Sequence, residues 1–229
     1  MITQNVELPG YESCTGLTLE GELLMPKGCT DLLVFAHGAG AGFDHENMLG
    51  IARGLATHNI ASLRFNFPFM QQGRRRVDSR EVTTAAIASA VDWVHRKYPK
   101  LDLWAGGHSF GGRMTSHCEL EYEPPVKGLI FCSFPLHAAN KPNRLRAAHL
   151  PYIEKPMLFL TGTRDALAEP MLLTEVLGQL RDKATLRWLD TADHGYKTLK
   201  RQRLYPGDVF EEIGQHIQRF IEDCNASQR

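Results

Sequence analysis

The chain is expected to fold as one α/β domain over residues 1–229, with a mostly parallel central sheet and helices on both faces. Three observations carry that expectation. Stretches of strand character alternate with stretches of helical periodicity, and such alternation makes parallel sheets. The run Asp31-Leu32-Leu33-Val34-Phe35-Ala36 is apolar after its first residue, as a strand buried on both faces is. A serine also sits in a glycine-rich turn, Gly106-Gly107-His108-Ser109-Phe110-Gly111-Gly112, between a strand and a helix.

The chain's 229 residues suffice for one substantial core and are few for two. A hydrophobic share of 43% and a charged share of 23% are those of a globular protein and argue against disorder. With 26 basic and 26 acidic residues the formal charge is zero, so no general attraction to nucleic acid or to an anionic membrane is expected. The start, Met1 to Glu7, has no basic n-region or apolar h-region and does not read as a signal peptide. No apolar run is long enough to span a bilayer. Cys14, Cys29, Cys118, Cys132 and Cys224 are odd in number and lack C-x-x-C spacing, which suits reduced thiols in a cytoplasm. Cys132 lies in an apolar strand and is expected in the core. No metal site and no cofactor is indicated.

Taken in order, Gly16 to Pro26 alternates and contains glycines, suggesting antiparallel edge strands closed by the Pro26-Lys27-Gly28 turn. The buried strand from Asp31 ends in His37-Gly38-Ala39-Gly40-Ala41-Gly42, and a helix is expected over about Glu46 to Thr57. A strand over Ile60 to Phe65 and a polar loop over Gln71 to Arg76 follow. The next helix, about Ser79 to Tyr98, aligns Ile87, Val91, Val94 and Tyr98 on one stripe. Leu101 to Ala105 reads as the strand before the serine turn, and Arg113 to Glu121 as the helix after it. Val126 to Phe134 is another buried strand, and Pro156 to Leu160 the next. Pro170 fits the first turn of a helix whose apolar face is Leu173, Val176, Leu177 and Leu180. Ala184 to Leu189 is the last strand. A closing helix, about Asp208 to Glu222 with Asp208 as a plausible N-cap, aligns Phe210, Ile213, Ile217 and Phe220.

In a parallel sheet the loops at the carboxyl ends of the strands gather the chemistry. Four suggestive loops fall there: 37–42, the serine turn, the loop with Asp165 and the loop with His194. Gly107-His108-Ser109-Phe110-Gly111 fits the nucleophile-elbow pattern G-x-S-x-G, whose glycines let a strained serine sit clear above the sheet. A serine hydroxyl needs an adjacent base at neutral pH, and His194 is the candidate. Asp165 would hold the imidazole in the right tautomer. The Ala39 and Phe110 backbone N–H groups would hold a developing oxyanion. His37, His108 and His137 compete as base, and Asp193 and Asp190 as acid. Asp165 alone of the three acids follows a strand through a glycine turn. Phe134 and His137, after a strand end, are candidates for the substrate wall; so is the Arg74-Arg75-Arg76 run, whose guanidinium groups suit a phosphate or carboxylate, although a solvated loop is the preferred reading of it. Phe65, Phe67, Phe69 and Met70 fit core or rim packing.

Together His37-Gly38-Ala39-Gly40, Gly107-His108-Ser109-Phe110-Gly111, Gly162-Thr163-Arg164-Asp165 and Ala192-Asp193-His194 resemble a serine α/β-hydrolase, from about Leu32 to the C-terminus. More narrowly, Gly128-Leu129-Ile130, Phe134-Pro135-Leu136-His137 and Leu145-Arg146 resemble the KANL/Tex-type α/β-hydrolase-like domain, which also occurs in a subunit of a chromatin acetyltransferase complex. Dienelactone hydrolases are similar in size and layout but use cysteine at the elbow, where this chain has Ser109. The resemblance implies the α/β-hydrolase fold. It also implies two functions to weigh: a serine hydrolase of small esters or thioesters, and a catalytically idle binding module for a protein partner. The intact set of Ser109, Asp165, His194 and the oxyanion loop favours the enzyme. The sequence itself indicates no protein partner. The connection from Pro135 to Lys155 is short and holds Pro135, Pro142 and Pro151, so a minimal lid or none is expected over an open cleft.

Overall fold

Strand Asp31–Ala36 is buried at every position and takes the middle of the sheet, as its unbroken apolar run requires. The computed structural model describes residues 1–9 and 17–227. In order the elements are β1 (Ile2–Leu8), β2 (Leu19–Met25), β3 (Asp31–Ala36), α1 (Glu46–Thr57), β4 (Ile60–Phe65), α2 (Pro68–Gln71) and α3 (Arg80–Lys97). There follow β5 (Asp102–His108), α4 (Phe110–Tyr122), β6 (Leu129–Cys132), β7 (Met157–Gly162), α5 (Pro170–Gly178), β8 (Ala184–Leu189) and α6 (Val209–Ser227). The eight strands form one sheet in the order β1-β2-β4-β3-β5-β6-β7-β8. The pairs β1/β2 and β2/β4 are antiparallel, and every pair from β4 to β8 is parallel. The chain has the α/β-hydrolase fold.

Pleating divides β3 between two cores. Leu32, Val34 and Ala36 face a core shared with α3, α4 and α5, while Leu33 and Phe35 face one shared with α1 and α6. Both faces are thereby covered. The two central strands are pinned at their starts by the Trp104 indole N–H, which donates to Asp31 Oδ1 at 2.9 Å. Successive strands leave β3 in opposite directions, β4 to one side and β5 to the other. That reversal opens a crevice beyond the carboxyl ends of β3 and β5, where the 37–42 loop and the serine turn emerge.

Several boundaries differ from expectation for visible reasons. The Val126–Phe134 stretch gives only Leu129–Cys132 as strand. Val126 N–H closes a turn on Pro124 O at 2.7 Å, and Ser133 takes φ 54° at the other end. Pro68–Gln71 forms a short helix with Pro68 in its first turn, where a missing N–H costs nothing. Helix α5 ends at Gly178, so Leu180 is buried from beyond it. Helix α6 runs on to Ser227, and Asp208 Oδ1 accepts from Phe210 N–H at 2.8 Å at its start. The edge strands are antiparallel as expected; Gly16 and Cys14 lie outside the described residues. Cys132 is fully buried, and Cys29, Cys118, Cys132 and Cys224 are free thiols. Between β6 and β7 there are two single turns of 3-10 helix, Leu145–Ala147 and Leu150–Tyr152, and no lid helix. Among the described residues, no helix is long and apolar enough to cross a membrane.

Candidate active site

Ser109 follows β5 directly and holds φ 52°, ψ −116°, a conformation that costs energy for any residue with a side chain. Neighbouring strands and helix leave it no alternative. Its N–H donates to Cys132 O at 2.9 Å, and its carbonyl accepts from Arg113 N–H at 3.1 Å, beginning α4. The flanking glycines are required by packing. A Cβ on Gly107 would stand 2.6 Å from Ala36 O, and one on Gly111 would stand 2.3 Å from the same atom. Only a chain without side chains there can nest against the end of β3.

Three side chains from three different loops meet above this turn. His194 Nε2 lies 2.8 Å from Ser109 Oγ. His194 Nδ1 lies 2.9 Å and 2.8 Å from the two carboxylate oxygens of Asp165. A carboxylate only accepts, so Nδ1 carries the proton and Nε2 presents its lone pair to the serine hydroxyl. The Asp165 side chain is wholly buried and its Oδ1 also accepts Leu167 N–H at 2.8 Å, which fixes its rotamer. The His194 ring is 25% exposed, open enough to reach a substrate. Of the rival acids, Asp193 turns away to accept Gly195 and Lys197 N–H groups, both at 2.9 Å. Asp190 accepts Leu204 N–H at 2.9 Å.

The rival histidines are employed in holding the loops. His37 Nδ1–H donates to Gly38 O at 2.7 Å and Nε2 accepts Phe67 N–H at 3.0 Å. His108 Nε2–H donates to His194 O at 3.1 Å, so the turn that carries Ser109 is tied to the loop that carries His194. Behind it, Tyr196 is buried with its ring 5.5 Å from the His108 ring, a support that the sequence reading did not single out. Burial pushes His37 down to about 4, against the opposing influence of the Gly38 carbonyl, and pushes His108 down to about 4, with His194 adding to the effect.

This has a consequence for stability. Free histidine titrates near 6.5, so between that pH and about 4 the unfolded chain takes up a proton that folded His37 refuses. Its contribution, of the order of 3 kcal/mol, is complete above the unfolded value and is lost as pH falls toward 4. The melting temperature should therefore decline from pH 6.5 to pH 4, and less steeply in a His37→Gln variant. Equal slopes in calorimetry would show that His37 does not stay neutral.

Ala39 is exposed at the mouth of the 37–42 loop, and Phe110 is the first residue of α4. Among the described residues, neither N–H donates to a protein acceptor. The loop is close to the elbow: a Cβ on Gly38 would be 3.8 Å from Ser109 Cβ. The Phe110 side chain meets Phe67 and Phe69, whose rings also flank His37, so these phenylalanines form the packed support under the 37–42 loop.

Two residues expected on the substrate wall are placed elsewhere. Phe134 is fully buried, its ring against Phe131 and Phe159 in the core beneath the sheet rim. His137 is 2% exposed, donates from Nδ1–H to Ala138 O at 2.9 Å and accepts Glu169 N–H at Nε2 at 3.0 Å. Both ring nitrogens are therefore committed to the backbone. Arg74, Arg75 and Arg76 are exposed; Arg74 pairs with Asp78 at 2.5 Å and donates to Gln72 at 2.8 Å. Among the described residues, no cluster of three or more His, Cys, Asp or Glu side chains is arranged to hold a metal ion.

A family model described as an alpha/beta hydrolase domain matches residues 29–222. That description does not single out the KANL/Tex branch. Solved structures with the same fold include a dienelactone hydrolase from Anabaena variabilis, 20% identical, with TM-score 0.71 over 96% of this chain and 98% of that one. A lidless α/β serine hydrolase from Xanthomonas campestris is 18% identical, with TM-score 0.73 over 96% of this chain and 94% of that one. Est1E from Butyrivibrio proteoclasticus is 15% identical, with TM-score 0.73 over 97% of this chain and 99% of that one.

Proposed function

The chain belongs to the family of α/β-hydrolase domains, and on that premise we propose that it is a serine hydrolase of small esters or thioesters. The observation that carries the reading is the unbroken line Ser109 Oγ, His194 Nε2, His194 Nδ1, Asp165, with every contact at 2.8–2.9 Å. Hydrolase-family structures of similar fold support it at the level of reaction class.

In the proposed route Ser109 Oγ attacks the substrate carbonyl carbon while its proton passes to His194 Nε2. The imidazolium that forms is stabilised by the buried Asp165 carboxylate. The carbonyl oxygen gains negative charge between the Ala39 and Phe110 N–H groups, next to the N-terminus of α4, where the helix dipole favours an anion. His194 then gives its proton to the leaving alcohol or thiol. Water, activated by the same histidine, attacks the acyl-enzyme and releases the acid. The route draws only on side chains and backbone N–H groups of this chain. Its substrate partner is a small molecule, and the reading involves no nucleic acid, membrane or protein partner.

An open cleft limits which acyl groups bind well. Each methylene removed from water is worth about 0.8 kcal/mol, and a site without a lid buries few of them. With only two 3-10 turns between β6 and β7, kcat/KM should change little beyond short acyl chains. A series of p-nitrophenyl esters from C2 to C16, with matched acyl-CoA thioesters, tests this and separates ester from thioester use. A steep rise toward long chains would reveal an apolar tunnel and overturn the preference.

A further inference from the structure

Arg113 has no acidic partner among the described residues. It lies one helical turn beyond Ser109 on α4, on the face turned away from the sheet core, and is partly buried. Helical side chains lean toward the N-terminus, which here is the end carrying Ser109 and Phe110. The Arg113 Nε atom is shielded from solvent and meets no acceptor. Among the described residues, no carboxylate forms an ion pair with it. The shielded Nε is out of a ligand's reach, so the Nη edge of the guanidinium, which meets no acceptor among the described residues, is the part open to an acceptor from outside.

A second cation faces the same place. Arg146 comes from the 3-10 turn Leu145–Ala147, and its Nη1 donates to His137 O at 3.0 Å, which anchors the side chain at the end of the β6 loop. The rest of its fork has no protein partner among the described residues. Ser116 Oγ, three residues along α4 from Arg113, lies 2.7 Å from His149 Nε2, so the face of α4 that carries Arg113 packs against the turns that carry Arg146. Burial, and then the Arg146 charge, lower the basicity of Arg113. The nearby acids are used elsewhere. Glu121 pairs with Arg80 at 2.8 Å and accepts Thr84 Oγ1–H at 2.6 Å, and Glu175 pairs with Arg144 at 2.5 Å. His117 and His149 stack beside the cluster at 3.8 Å and carry no compensating charge.

We propose that Arg113 and Arg146 receive a carboxylate carried by the substrate. The forked donors of arginine match two carboxylate oxygens, and a shielded site strengthens the contact. Four residues of helix separate Arg113 from Ser109, a rise of about 6 Å, which a spacer of two or three carbons between ester and carboxylate spans. The inference rests on Ser109 as nucleophile and adds the substrate class: esters or thioesters bearing a second, ionised carboxylate.

The test compares charged substrates with uncharged counterparts of the same shape. Monomethyl glutarate is set against methyl 5-methylhexanoate, for a carboxylate on the acyl side. For the alcohol side, 3-acetoxypropanoate is set against isopentyl acetate. Acid release is followed on a pH-stat for the wild type and for Arg113→Gln, Arg113→Lys and Arg146→Gln, each checked by its melting curve. The expected result is a preference for the charged member of at least one pair. That ratio of kcat/KM should fall about tenfold or more in Arg113→Gln and Arg146→Gln, and less in Arg113→Lys. Glutarate should also slow labelling of Ser109 by an uncharged fluorophosphonate in the wild type, and much less in Arg113→Gln. If Ser109 is labelled and neutral esters turn over, but neither charged substrate is preferred and glutarate gives no protection, the carboxylate site is refuted while the hydrolase reading stands. If Ser109 is not labelled at all, the hydrolase reading fails first.

Discussion

Ser109→Ala is expected to lower kcat on any accepted ester by about 10⁴-fold or more, with the fold intact. Among the described residues the serine oxygen has one hydrogen-bond partner, His194 Nε2 at 2.8 Å, so its loss costs the folded state about 1 kcal/mol or less. Alanine keeps the same strained φ of 52°, so no strain is released to offset that cost. The chemical loss is larger because, among the described residues, Ser109 Oγ is the hydroxyl that His194 Nε2 meets. His194→Ala should do comparable damage, and the double variant should be scarcely worse than either single one, because nucleophile and base act as one unit. Losses that multiplied in the double variant would mean that the two residues act independently.

Asp165→Asn should cost about 10³- to 10⁴-fold in kcat, while Asp193→Asn should leave kcat nearly unchanged. The difference follows from hydrogen-bond polarity. Leu167 N–H donates to Asp165 Oδ1, so an asparagine must keep its oxygen there and turn its NH₂ toward His194 Nδ1. That donor forces Nδ1 to become the acceptor and moves the ring proton to Nε2, where it faces the Ser109 hydroxyl and cannot take its proton. Asp193 holds the turn that carries His194 through Gly195 and Lys197 N–H, so its substitution should appear as about 1 kcal/mol of stability instead. A collapse of kcat in Asp193→Asn with Asp165→Asn active would reverse the assignment of the acid.

The parts of this molecule that were legible in the sequence are those set by short-range patterning. The apolar run of β3 placed it at the sheet centre, and the glycines around Ser109 placed the elbow, because a Cβ at either flank collides with Ala36 O. The order Ser109, Asp165, His194 along the chain is the order of the loops that converge in space. Long-range contacts settled the rest. Gly111 and Gly112 weaken helix propensity and moved the expected start of α4 to Arg113, yet contact with the end of β3 winds the helix from Phe110. His137 looked like a wall residue from its place after a strand, but Glu169 N–H, far along the chain, claims its ring. Arg113 gives no local signal, and Arg146 entered only through the family resemblance, with no role attached to it. Among the described residues neither is paired with a carboxylate, and that shows only when α4 and the β6–β7 connection are brought together.

The central claim is that Ser109 is a nucleophile activated by His194, and covalent labelling tests it most directly. The protein is incubated with a fluorophosphonate probe, digested, and the modified peptide mapped by mass spectrometry. The account predicts one adduct per chain, on Ser109, formed quickly in the wild type and in Asp193→Asn and very slowly in His194→Ala. A wild-type chain that stays unmodified, or an adduct on any other residue, would contradict it.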